Sequence, residues 1–136
     1  EQWVSEVARE AGAPFIVLEK VRHGDRDVDV SIPKVEKYKD HTPVLVDDII
    51  STARTMIETV GHLRTAGMKP PVCVGVHAVF AGNAYEDLKN SGVEAIVTCN
   101  TIPHVSNKID LSDLLAREVV TLMKHYAHQS PGHHHR

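Results

Sequence analysis

The chain has 136 residues, 42% hydrophobic and 24% charged, with a formal net charge of −3, which suffices for one domain with its own core but not for two. So modest an acidic balance gives no electrostatic footprint for nucleic acid or a membrane surface. No apolar run approaches the ~18 residues that span a bilayer, and no signal-peptide pattern opens the chain.

Periodicity predicts a helix from Trp3 to Ala11, with Trp3, Val4, Val7 and Ala8 along one side. A first residue of Glu1, already close to a helix, reads as part of a longer protein. Pro14 to Leu18 is a compact strand candidate ending at Glu19 and Lys20. From Val21 to Ser31 charge dominates, and Val28, Val30 and Ile32 alternate with polar residues, as in a polar loop folding back as a β-ribbon. Pro43 to Val46 is the second clear strand and runs directly into Asp47 and Asp48. Met56, Ile57, Val60 and Leu63 then recur at helical steps, until Gly67 and Pro70-Pro71 end the helix.

Val72 to Val76 is a third strand, Ala84 to Lys89 a short helix, Glu94 to Thr98 a fourth strand and Lys108 to Leu111 a short fifth. Ser112 is expected to cap a last helix, whose apolar face holds Leu115, Val119, Leu122, Met123 and Tyr126. The domain is expected to span residues 1–128. Residues 129–136, with Ser130, Pro131, Gly132 and three consecutive histidines, read as a flexible tail rather than a metal site. Cys73 and Cys99 lie in apolar stretches, as buried, reduced thiols of a cytoplasmic protein do. Strands and helices in alternation predict an α/β fold, a parallel sheet with helices on both faces. Ligands of such sheets bind beyond the carboxyl ends of the strands.

The segment from Val44 to Thr55 carries the most chemistry. Asp47 and Asp48 sit where the strand leaves the sheet, and Ser51, Thr52, Ala53, Arg54 and Thr55 lead into a helix. A helix start offers unpaired N–H groups and partial positive charge, so it favours a phosphate. The hydroxyls of Ser51, Thr52 and Thr55 add donors to that phosphate. The carboxylates suit neighbouring sugar hydroxyls, so the whole makes a receptor for a phosphorylated sugar. Solubilising charge followed by a helix cap is the plainer reading of the same residue types. Earlier, Lys20 and Arg22 lie two apart on an extended segment, so they face one way and can approach a single anion. A solvated basic turn is the plainer reading there.

Strand, two acids, two aliphatics, then hydroxyl-Thr-x-x-Thr resembles the phosphoribosyl-binding motif of the type I phosphoribosyltransferase fold. Lys20-x-Arg22-x-Gly24 ahead of it resembles the ribose-phosphate pyrophosphokinases in particular. So do Val76 to Gly82 after the third strand and Thr98 to Pro103 after the fourth. Ser51 and Arg54 depart from the usual pattern, which more often has an acid or hydroxyl and a glycine there. Arg54 either adds charge near the phosphate or points to solvent.

The resemblance implies transfer of the diphosphoryl group of ATP, bound with Mg2+, to the anomeric hydroxyl of ribose 5-phosphate. Lys20 would then be the catalytic lysine, with Arg22 its partner on a mobile loop. Asp47, Asp48 and Ser51 to Thr55 would bind the sugar phosphate. It also implies an N-terminal domain that supplies most ATP and metal contacts, no metal ligands within this stretch, and dimers building hexamers. His77 is expected to be a packing histidine, and Cys99 and Asn100 scaffold. A phosphoribosyltransferase, a regulatory paralogue binding phosphoribosyl ligands, and a response-regulator-like module are the alternatives.

Overall fold

The computed structural model describes the backbone of residues 2–12, 14, 19–23, 27–31 and 38–129, and the side chains of 6–12, 14 and 38–125. Of the expected strand from Pro14 to Leu18 only Pro14 is described, and residues 15–18 and the tail beyond Gln129 lie outside the described residues. Helix α1 (Gln2–Ala11) is followed by a two-stranded antiparallel ribbon, β1 (Glu19–His23) and β2 (Asp27–Ser31). Lys20 stands opposite Val30 in that ribbon, and Arg22 opposite Val28. The charged, alternating segment therefore does fold back on itself.

The main sheet contains β3 (Val44–Ile50), β4 (Val72–Ala78), β5 (Ala95–Cys99) and β6 (Asn107–Ile109) in that spatial order, all parallel. Between them run α2 (Arg54–Thr65) and α3 (Ala84–Lys89), and α4 (Ser112–Gln129) closes the described chain. This is the parallel α/β architecture that the alternation predicts.

The core lies where α2 and α3 meet the sheet. Ile50, Met56, Val60, Cys73, Ala78, Phe80 and Leu88 are buried together there. Both cysteines are buried and free, as expected, and burial pushes the Cys73 thiol up to about 12. Gly75 stands opposite Asp47 in the β3–β4 pairing, and the Ile50 side chain fills the space above it. A Cβ there would lie 2.5 Å from Ile50 Cδ1, so only glycine lets Ile50 cover the sheet.

Three boundaries differ from the sequence reading. Strand β3 continues past Val46 to Ile50, because Ile49 and Ile50 pair with His77 and Ala78 of an equally lengthened β4. Helix α2 begins at Arg54 rather than at the hydroxyl run. At α4 the first-turn oxygen comes from Asp110, whose carboxylate accepts a hydrogen bond from the Ser112 amide at 2.8 Å. Ser112 is itself the first helical residue, so Asp110 takes the capping role expected of the serine.

Candidate functional site

Residues 51–53 join the end of β3 to the start of α2, and their geometry follows from what they lack. The N-cap of α2 is Ala53, with φ of 64° and no side-chain cap. An alanine gives the helix start no oxygen, so the first-turn amides keep their unpaired state. None of the amides of Ser51, Thr52 and Ala53, nor the hydroxyls of Ser51, Thr52 and Thr55, donates a hydrogen bond to another described residue. The left-handed backbone at a β-carbon-bearing residue costs about 1–2 kcal/mol. It persists because the Ala53 methyl is buried and the flanking turn is held from outside.

That hold comes from the turn after β4. The Phe80 amide donates to the Ile50 carbonyl at 2.8 Å, and the Ala81 amide donates to the Ser51 carbonyl at 2.9 Å. Phe80 is also left-handed, with φ of 45°. Its ring is buried edge-on to Tyr85 at 5.1 Å and tilted over His104 at 4.6 Å. Two strained residues on neighbouring strand ends thus brace one loop. Nothing in the residue types at 79–82 announced this role, which needs the register of β3 against β4 to become visible.

Between the strand end and the helix start lies a depression of about 140 Å³. Asp47, Ile49, Ile50, Ser51, Thr52, Ala53, Arg54, Thr55 and Met56 line it. A single water occupies about 30 Å³ of liquid, so an anion of phosphate size fits. The site lies beyond the carboxyl end of a parallel strand, where the topology directs ligands. Of the residues expected to bind, Asp47 and all five from Ser51 to Thr55 converge here. Arg54 is exposed on the rim, with no salt-bridge partner among the described residues.

Asp48 is not part of the lining. Its carboxyl lies below the usual range, chiefly through a hydrogen bond with the Asp47 carboxyl. The Ile49 amide adds to this, donating to Asp48 Oδ1 at 2.8 Å. The Asp48 amide in turn donates to Asp47 Oδ1 at 2.8 Å, so the acids form one linked group at the strand end. Ile49, Ile50 and Met56 were not expected in the site, and they supply its apolar floor.

Lys20 and Arg22 belong to β1, and the ribbon's second strand lies beside α2, the helix that starts at the depression. Their side chains lie outside the described residues. Among the described residues no three His, Cys, Asp or Glu side chains gather as metal ligands. No described helix is long and apolar enough to cross a membrane.

The family model for the phosphoribosyl transferase domain matches residues 1–113, which include the whole depression and its brace. The chain belongs to the phosphoribosyl transferase domain family. Within that family it is similar to proteins named ribose-phosphate pyrophosphokinase. The one from Sulfurisphaera tokodaii is 39% identical over 119 residues, covering 83% of this chain and 40% of that protein. The Sulfolobus acidocaldarius protein is 34% identical over 121 residues, with the same coverage of each. The chain thus spans about two fifths of the length of these curated relatives.

A crystal structure of phosphoribosylpyrophosphate synthetase from Mycobacterium smegmatis superposes with a TM-score of 0.66 at 21% identity. It covers 91% of this chain and 42% of that one, and bears out the fold. The matched stretch holds both the acid pair and the open helix start. Here they stand side by side.

Proposed function

We propose that this domain holds ribose 5-phosphate, and that the protein containing it transfers the diphosphoryl group of ATP to the anomeric hydroxyl of that sugar. The carrying observation is the depression at the end of β3, where unspent amides and hydroxyls face an acid-lined wall. The 5-phosphate sits on residues 51–55, held by the amides of the helix start and the hydroxyls of Ser51, Thr52 and Thr55. Arg54 at the rim adds positive charge. Asp47 accepts from the ribose hydroxyls, and the Asp48 amide steadies it by donating to Asp47 Oδ1 at 2.8 Å.

With the sugar so placed, its anomeric oxygen attacks the β-phosphorus of ATP and AMP leaves. Magnesium enters as part of the MgATP substrate. Lys20 and Arg22 offset the charge that accumulates on the non-bridging oxygens. Their place on a ribbon whose second strand lies beside α2 supports this role, since a hairpin against that helix can reach over its start. Closure excludes water, which would otherwise compete as acceptor. Positioning and electrostatics account for most of the acceleration. ATP contacts outside this domain come from the remainder of a cytoplasmic, oligomeric protein of the relatives' size.

The test is Lys20→Ala in the intact protein. Turnover with MgATP and ribose 5-phosphate falls by at least about a thousandfold, the scale of a lost charge-stabilising group, while ribose 5-phosphate affinity changes little. Unaltered turnover removes Lys20 from the mechanism. A protein that turns over phosphoribosyl diphosphate with a nucleobase, but not ATP with ribose 5-phosphate, overturns the reaction itself.

A further inference from the structure

One titratable side chain at the same edge of the sheet is left out of this account. His77 ends β4, in register with Ile49, which lines the depression one strand away. Neighbouring strands lie about 4.8 Å apart, so the imidazole adjoins the acid end of β3. The ring is only partly buried.

Its tautomer follows from its neighbours. The Thr101 hydroxyl donates its one proton to the Val76 carbonyl at 3.1 Å, and a carbonyl can only accept. The 2.8 Å contact between Thr101 Oγ1 and His77 Nδ1 is therefore an Nδ1–H donating to the hydroxyl oxygen. In the tautomer with its proton on Nδ1, Nε2 is an acceptor, and it meets no partner among the described residues. That open nitrogen belongs to a residue whose partner in the sheet, Ile49, lines the depression.

We infer that His77 is a further sugar-binding residue of this site, its Nε2 accepting from a hydroxyl of the bound pentose phosphate while Thr101 holds the ring in the accepting tautomer. This deepens the ribose 5-phosphate reading and rests on it. His77 would then add to Asp47 a second acceptor facing the sugar, and the specificity it confers is for a hydroxylated ring rather than for phosphate alone.

Two isosteric variants separate the ends of the ring. His77→Asn keeps an N–H near the Nδ1 position, and so the Thr101 contact, but has nothing at Nε2. His77→Gln puts an amide near Nε2. Calorimetric titration with ribose 5-phosphate and with inorganic phosphate reads both, with thermal melts as a fold control. The expected result is a loss of about tenfold in ribose 5-phosphate affinity for His77→Asn, the scale of one lost hydrogen bond to a bound ligand. Phosphate affinity and melting stay at wild-type values, and His77→Gln recovers part of the loss. Equal ribose 5-phosphate affinity in His77→Asn and wild type overturns the inference and leaves the proposed function standing. Parallel loss of both ligands assigns His77 to the scaffold and also overturns it. A wild-type protein that binds neither ligand removes the functional reading, and this inference with it.

Discussion

The loop at Ser51 to Ala53 and the connection from Asn100 to Leu111 leave the same edge of the sheet, yet they dispose of their polar groups in opposite ways. In the second, nearly every side chain is spent internally. Asn100 Nδ2 donates to Asp110 at 2.9 Å, while its Oδ1 accepts from the Leu111 amide. Asn107 donates to Thr98 Oγ1 and to the Cys99 carbonyl, and its own oxygen accepts from the His104 amide. Thr98 and Ser106 share a hydrogen bond, both buried. In the first loop the amides and hydroxyls bond to no described residue, and the bracing comes from carbonyls that Phe80 and Ala81 grasp from behind. A turn that satisfies itself is scaffold; a turn held by its acceptors keeps its donors for a ligand, as the proposed phosphate site requires.

Several substitutions can break or sharpen this contrast. Gly75→Val should have the largest effect, because its β-carbon alone would lie 2.5 Å from Ile50 Cδ1. Overpacking of this kind costs about 1–3 kcal/mol. Chemical denaturation should detect it, and phosphate affinity should fall as well, since Ile50 anchors the receptor loop. Asn100→Ala should cost about 1–2 kcal/mol by leaving two partners unpaired, with ribose 5-phosphate affinity unchanged. A large affinity loss there would erase the distinction between the two turns.

Thr52→Val does the reverse. It removes an exposed hydroxyl that bonds to no described residue, so melting should move by no more than the ~0.5 kcal/mol of an ordinary surface change. Ribose 5-phosphate affinity should drop about tenfold.

Asp110→Asn gives the smallest effect and the one with a pH signature. The Asp110 carboxyl lies below its usual range because it accepts from the Ser112 amide, the Ser112 hydroxyl and Asn100. A carboxyl lowered by folding stabilises the protein above its unfolded value of about 3.9, and that contribution is lost as pH falls through the folded value. The melting difference between wild type and Asp110→Asn should therefore be present at neutral pH and shrink to nothing in acid.

Much of this was legible in the chain itself, because the signals were local. Ala84 to Lys89 forms the short helix that its residues predict, and the β-ribbon and parallel sheet follow from alternation and strand length. The acid pair and the hydroxyl run could be read as one site from residue type and order, and Asp47 and Ser51 to Thr55 do line one depression. What escaped depends on partners far along the chain. Strand β3 reaches Ile50 only because β4 extends to meet it, and no local pattern at Val46 reveals that. The partner of the His77 ring, Thr101, comes from the turn after β5 and is invisible from the residues around His77. Asp110 replaces Ser112 at the helix start because a carboxylate two residues earlier also reaches the amide.

The apolar stripe of α4 was legible as a stripe but not as buried. Leu115, Val119, Leu122 and Met123 are all more than half exposed, whereas the shorter α2 buries Met56, Val60 and Leu63.

The grip of Phe80 and Ala81 on the receptor loop gives the site a built-in reporter. Their two amides point at the carbonyls of Ile50 and Ser51, on the far side of the same peptide run that would carry the phosphate. An occupied loop opens less often, so deuterium should enter these two amides more slowly when ribose 5-phosphate is present. Protection at Phe80, a residue that never touches the sugar, would register occupancy from inside the core.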